Sequence, residues 1–262
     1  MANDIVDKFI KDDIVDDMVW SFSRLSSFKK CKRMWYLTYI KKVPLRSNFF
    51  SEYGTFAHLI FEKYNKGEME LFDILPFIEY NYNNSIITPA PPNAYVDLGE
   101  SYYNKLYSYF EKFNGYEDET IGVEKEISFT LNFNGVEKPF TGYIDRLSKT
   151  KKGYKITDYK SKGKFKNKDE LEEYLIQPYL YSQAVKNEFK VYPKELEFDM
   201  FKENTVVTKN FELKKFNASK KWALNIMQEI YDEIEFPCNY SEFFCKYICS
   251  CSEHCPIFEV EE

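Results

Sequence analysis

The sequence predicts an α/β protein: a mixed central β-sheet flanked by helices. Helical patterns before residue 115 give way to three strand-like stretches between residues 124 and 160. After those stretches the order is helix, strand, strand, helix, which suits a mixed sheet covered by helices. Asn134-Gly135 and Lys151-Lys152-Gly153 are turn sequences that join the three stretches into a meander. The chain of 262 residues is 44% hydrophobic and 30% charged, enough to bury a substantial core. Neither an internal repeat nor a clear linker is visible, so residues 1–262 read as one domain with its core at about 120–215.

The elements follow in order. Residues 3–18 place Ile5, Val6, Phe9, Ile10, Ile14 and Val15 among acids, the pattern of an amphipathic helix. Trp20-Ser21-Phe22-Ser23 leads into a second helix, with Ser21 or Ser23 as its cap. Leu25, Phe28, Cys31 or Lys32, and Trp35 share one face of that helix, with the basic residues mostly elsewhere. Glu52–Glu62 is a helix of about three turns carrying His58, with Gly54 one turn earlier leaving room for a close approach. Residues 68–97 are mixed and end in a proline-rich loop. Leu98–Phe113 reads as an aromatic helix with Tyr102, Leu106 and Phe110 as core, and residues 90–115 suit an insertion on the core fold.

Glu124–Phe133 alternates as a strand, and Glu124 itself is a candidate extra acid, although surface charge is the readier reading. Asp169–Asn187 is a helix on which Gln177 and Tyr181 share a face. Glu195–Phe201 and Thr205–Leu213 are strands. Residues 218–235 form a helix that buries Trp222, Ile226 and Ile230.

The chemistry centres on Gly142-Tyr143-Ile144-Asp145-Arg146 and the following Tyr154–Lys160 strand. Alternation puts Asp158 and Lys160 on one face and Tyr159 on the other, with Asp145 within reach across the pair. Two carboxylates so close repel each other, and one lysine only partly offsets that. A Mg²⁺ or Mn²⁺ ion, which takes oxygen ligands and leaves positions for water and a phosphate, suits the set better. Lys160 would then orient or help deprotonate a water attacking phosphorus.

Formal net charge is −6, which argues against indiscriminate nucleic-acid binding, but the charge is uneven. Residues 149–168 hold nine lysines and one acid, Asp158, and the loop Ser161–Lys168 suits contact with a phosphate backbone. Five of the six cysteines (Cys238, Cys245, Cys249, Cys251 and Cys255) crowd near the end, and Cys31 stands alone upstream. Clustered cysteines without a secretory leader point to a metal site rather than disulfides. Thiolates select zinc or iron–sulfur clusters, and Cys31 would supply a distant fourth ligand. Met1-Ala2-Asn3-Asp4 lacks a leader pattern and no apolar run is long enough for a bilayer. A cytoplasmic protein of its host cell, with no membrane partner, is expected.

Together these stretches resemble the PD-(D/E)XK nuclease superfamily, in its RecB-like, AddB-like branch that carries a [4Fe–4S] cluster and includes CRISPR-adaptation nucleases and phage exonucleases. The resemblance runs from about Ser21 to Cys255. Ser23-Arg24-Leu25 through Cys31 resembles the family's opening helix, although Lys32 stands where a proline is usual. Gly54 and His58 match the G-x-x-x-H element, Gly142–Arg146 the G-x-x-D-R element, and Asp158-Tyr159-Lys160 the D/E-x-K element. Gln177 and Tyr181 match the Q-x-x-x-Y element.

The resemblance implies a restriction-endonuclease-like core. It also implies Mg²⁺ or Mn²⁺ held by His58, Asp145, Asp158 and the Tyr159 carbonyl, with Lys160 assisting the attacking water. Gln177 and Tyr181 would position DNA and the site. Cys31, Cys245, Cys249 and Cys255 would hold the cluster in a region built from residues 21–40 and 236–258. Cys251 competes with Cys249, because the usual C-x-x-C step is absent here.

The implied activity is metal-dependent DNA cleavage, with exonuclease action on ends or single strands favoured, as in recombination, repair or phage DNA processing. With no Walker A motif, the chain would act alone, as an oligomer, or beside a helicase, recombination or integrase partner. Rival readings are a CRISPR-type processing nuclease, a non-catalytic DNA-end-binding subunit, and a zinc-binding interaction protein.

Overall fold

The computed structural model describes residues 11–256. Helix α1 is helical over residues 11–16; the rest of the amphipathic stretch expected at 3–18 begins outside the described residues. The short strand β1 (Trp20–Ser21) precedes α2 (Phe22–Lys30) and α3 (Lys32–Tyr39). Then come α4 (Phe49–Asn65), α5 (Leu71–Ser85) and α6 (Leu98–Lys112). The meander is β2 (Glu119–Phe133), β3 (Val136–Thr150) and β4 (Gly153–Tyr159). Helix α7 (Lys168–Phe189), β5 (Glu195–Met200), β6 (Thr205–Asn210), α8 (Leu213–Asp232) and α9 (Glu242–Tyr247) complete it.

The strand order is β1-β3-β4-β5-β6, with β2 also on β3. Pairings β1–β3 and β4–β5 are parallel, and β3–β4 and β5–β6 are antiparallel, so the six-stranded sheet is mixed as expected. The chain separates into two compact units. One contains the described residues up to Arg46, Ser128–Gly142, and those from Asn217 onward; the other contains Ser47–Ile127 and Tyr143–Phe216.

Two expectations need correction, and one left open between two residues is resolved. The single helix through Cys31 is two helices. Cys31 is extended (φ −159°, ψ 113°), ends α2, and caps α3 by accepting the Met34 backbone N–H on its sulfur. Of the two candidate caps of α2, Ser21 is the one used, accepting from Arg24 N–H. Residues 71–85 form a full helix, α5, rather than a mixed stretch. Pro76 lies inside it, while Ile74, Ile78 and Tyr82 pack at helical spacing. That apolar face outweighs the proline's missing donor, a packing gain that propensity alone does not show.

In the second unit, α4, α5 and α6 bury an aromatic core. It includes Tyr53, Phe56, Phe61, Tyr109, Phe110, Tyr159 and Phe201. The decisive contact is Phe61 on Tyr159: the rings stack at 3.9 Å and 3°. Tyr159 points away from Asp158, as alternation requires, and its hydroxyl meets Tyr116 and Asn65. This stack holds α4 against β4 and so brings His58, one turn before Phe61, over the β4 backbone.

Arg146 has a structural role on the same strand as Asp145. It is fully buried, donates from Nε to Thr120 Oγ1 and from Nη2 to the Asp118 carbonyl, and lies 3.9 Å from the Tyr116 ring. Arg146→Met is expected to destabilise the protein by about 2–3 kcal/mol, through lost charged hydrogen bonds and the cation–π contact. A urea denaturation series would read this as a lower midpoint with an unchanged slope.

Candidate active site

Strand β3 and strand β4 pair with Arg146 opposite Thr157, so the register continued by one residue sets Asp145 opposite Asp158. Both carboxylates are buried, at 9% and 6% exposure. Asp145 sits within β3, and its Oδ2 accepts the Tyr159 N–H at 2.8 Å. Asp158 Oδ2 lies 2.6 Å from Lys160 Nζ. Helix α7 then braces the lysine. Gln177 Oε1 accepts from Lys160 at 3.4 Å, and the Tyr181 hydroxyl lies near Gln177 and the backbone of Tyr143. The one-turn spacing of Gln177 and Tyr181 therefore joins Lys160 to the start of the Asp145 segment.

His58 Nε2 lies 3.0 Å from the Tyr159 carbonyl oxygen. Its Nδ1 faces Glu124 Oε1 at 3.5 Å and Asp145 Oδ2 at 3.8 Å. All seven site residues expected from the sequence, His58, Asp145, Asp158, Tyr159, Lys160, Gln177 and Tyr181, thus gather in the second unit. Glu124 joins them, although its place on a strand reads as ordinary surface charge. Glu124 has a left-handed backbone (φ 43°) within β2, a conformation that costs a non-glycine residue about 1–2 kcal/mol. Such a break in a strand re-aims a side chain, and the amino-acid pattern does not announce it.

Electrostatics mark the cluster as short of positive charge. Burial and the Asp158 carboxylate raise Asp145 to about 7, against the pull of His58 and Lys160. Burial disfavours the His58 cation, but the Glu124 hydrogen bond and the charges of Asp145 and Asp158 prevail and raise it to about 9. Burial likewise works against the Lys160 ammonium, yet Asp158 and Asp145 hold its pKa above the usual lysine value. A cleft of about 600 Å³ opens onto these groups, lined by Gly54, Thr55, His58, Leu59, Glu62, Glu124 and Tyr143. A Cβ on Gly54 would meet only Ser161 Oγ, at 3.7 Å, so packing does not demand glycine there.

The description of the family model that matches residues 19–256 is the PD-(D/E)XK nuclease superfamily. The chain belongs to the PD-(D/E)XK nuclease superfamily. No curated protein matches it. Nucleases of this superfamily use divalent metal ions, and the donors here fit one. Oxygens and nitrogens at neighbouring corners of an octahedron of radius about 2.1 Å are about 3.0 Å apart, the His58–Tyr159 separation. His58, Glu124 and Asp145 also each offer a ligand atom within 4.8 Å of the others'.

Part of the expected basic strip is spent on internal pairs, while Lys149, Lys151, Lys164, Lys166 and Lys168 are exposed. Lys152 meets Glu195, Lys155 meets Asp118 and Glu197, and Lys162 meets Glu170. Among the described residues no helix is long and apolar enough to cross a membrane.

The first unit gathers the cysteines. Cys31, Cys238, Cys245, Cys249, Cys251 and Cys255 line one enclosed cavity with Met34, Leu37 and Phe244. Cys31 Sγ is 4.0 Å from Cys238 Sγ, and Cys249 Sγ is 3.7 Å from Cys251 Sγ. Thiolates around a tetrahedral ion at about 2.3 Å stand about 3.8 Å apart, so the donor chemistry suits a thiolate-bound metal. Cys238, outside the four ligands that the resemblance implies, also faces the cavity.

Arg46 supports this region, donating to the carbonyls of Cys245, Lys246 and Cys249. Phe236 stacks on Trp35 and Tyr36, fastening the C-terminal segment to α3. The Cys251 hydrogen bond, backed by Arg46 and Lys30, lowers the Cys249 thiol to about 6.

Proposed function

We propose that this protein is a Mg²⁺- or Mn²⁺-dependent deoxyribonuclease that hydrolyses phosphodiester bonds at DNA ends or in single strands. The observation that carries this reading is the convergence of buried Asp145 and Asp158 with Lys160 beneath His58 and the Tyr159 carbonyl. His58, Asp145, Asp158 and the Tyr159 carbonyl would hold the ion. When bound, it polarises the phosphoryl group and makes a coordinated water acidic enough to attack.

Lys160 contributes a charge kept on by its carboxylate neighbours, able to donate to a phosphoryl oxygen as negative charge builds there. Gln177 restrains that ammonium, and Tyr181, one turn on, lies near the backbone that leads into Asp145. The buried setting strengthens each of these contacts relative to water. A [4Fe–4S] cluster on Cys31, Cys245, Cys249 and Cys255 is the proposed second cofactor, with a structural role. Action beside a recombination, helicase or integrase partner is compatible with this reading.

The deciding experiment uses end-labelled single- and double-stranded linear DNA and a closed circle, with Mn²⁺ or EDTA. Metal-dependent loss of the linear substrates with the circle spared is the expected result. Cutting of the circle would replace the exonuclease reading with an endonuclease one. Binding without any cleavage would favour an end-binding subunit instead.

Glu124 provides a separate check on the metal site. As ligand or as partner of the His58 Nδ1–H, it should contribute about 10- to 100-fold to metal affinity. Calorimetry is expected to show that loss for Glu124→Ala, with partial recovery in Glu124→Gln. Unchanged Mn²⁺ affinity in both would return Glu124 to ordinary surface charge.

A further inference from the structure

We propose that Tyr143 is a base-stacking step beside the candidate metal site, selecting an unpaired nucleotide; this deepens the nuclease reading and rests on it. Alternation along β3 puts Tyr143 on the same face as Asp145, about 7 Å away along the strand. Its neighbours Gly142 and Ile144 are buried, while Tyr143 is 53% exposed. Among the described residues its ring stacks on no other aromatic ring. The backbone beneath it belongs to β3, paired on either side of this point with β1 and β4, so the ring projects from a sheet.

The same cleft has two characters. Its lining combines His58, Glu124 and Glu62 with Tyr143 and Leu59, itself 37% exposed. Leu59 directly follows His58 on α4, so apolar surface borders the metal-binding atoms from the helix as well as from the strand. Acidic side chains at the cleft give a phosphate backbone little purchase except where a cation sits. A strand entering it therefore gains most by placing one phosphate at the ion and the adjoining base against the tyrosine.

A base within duplex DNA already has both faces stacked and cannot take that place. An unpaired base can, because every base offers a π-face to an aromatic ring. The occupant is thus the unpaired nucleobase next to the phosphate to be cut.

The test measures binding, not turnover, in a Lys160→Met background with Ca²⁺ present so that the strand stays intact. Oligonucleotides carry the fluorescent base 2-aminopurine at the terminal or penultimate position. Tyr143→Ser is expected to weaken single-strand binding about 10- to 100-fold and to abolish quenching of the probe. Tyr143→Phe should keep both, and blunt duplex binding should change less than about twofold, the stacking contribution being specific to unpaired bases.

Equal losses on single strands and duplex, no loss at all, surviving quenching in Tyr143→Ser, or no single-strand binding by the parent protein would each overturn the proposal. Thermal melting of Tyr143→Ser, with rescue by phenylalanine, separates a folding defect from a lost contact. The two readings fail separately: absence of metal-dependent cleavage by the unaltered protein sinks the nuclease, whereas cleavage that ignores Tyr143 sinks only the stacking step.

Discussion

Asp158→Asn is expected to lower metal-dependent cleavage of linear DNA by about 10³-fold or more, because one substitution removes both a metal ligand and the partner of Lys160. A second readout identifies the reason. A ligand that binds only the folded state stabilises it by about 2.7 kcal/mol at one hundred times its dissociation constant. For a chain of this size that is a rise of about 5–10 °C in melting temperature on adding Mn²⁺. The unaltered protein should show the rise and Asp158→Asn should not, while the two melt within a few degrees of each other in EDTA.

Lys160→Met separates the lysine's role from the metal's. It should lose about 10²- to 10³-fold in cleavage, the scale for losing one preorganised donor to developing charge. It should nevertheless keep the Mn²⁺-induced rise, since the ammonium is no ligand. Normal cleavage by either variant would remove this constellation as the active site. Loss of the Mn²⁺ response in Lys160→Met would mean that the lysine chiefly holds Asp158 in place.

How legible this was in the sequence varies by residue. The β3–β4 hairpin was readable because period-two alternation and a glycine turn fix the register, and the register fixes Asp145 against Asp158. That Gln177 and Tyr181 share a helix face was readable from one-turn spacing, but their place at the site was implied only by the resemblance to the family's Q-x-x-x-Y element. His58 is different: nothing local says that it reaches the Tyr159 carbonyl. That depends on Phe61 stacking on Tyr159, a contact between residues nearly a hundred positions apart.

Glu124 could be named as a spare acid but not placed at the site, since a left-handed residue inside a strand leaves no trace in side-chain alternation. The helix break at Cys31 was hidden because helical spacing continues through it from Phe28 to Trp35. The sulfur of Cys31 substitutes for a usual oxygen cap there, and no propensity scale anticipates that.

Cys31→Ala should have the largest effect on stability. The side chain has two roles in the described structure. Its sulfur caps α3 by accepting Met34 N–H, and it faces the cavity shared with the five C-terminal cysteines. Loss of the cap alone would cost about 1 kcal/mol. Metal held by thiolates is worth far more, because its binding energy is folding energy.

If the substitution removes even about 4 kcal/mol of that energy, the melting temperature falls by about 8–16 °C. Cys31→Ser separates the roles: it can restore an oxygen cap, yet it should not restore the metal. Anaerobically purified protein with a [4Fe–4S] cluster would be brown, and both variants would be pale. A colourless parent containing stoichiometric zinc would instead assign the cavity to a tetrahedral ion. Cys249→Ser and Cys251→Ser then identify the ligand between two sulfurs 3.7 Å apart, since only the true ligand's loss should release metal. Retention of metal and stability by Cys31→Ala would make Cys31 a cap and a core residue, with the C-terminal cysteines binding metal unaided.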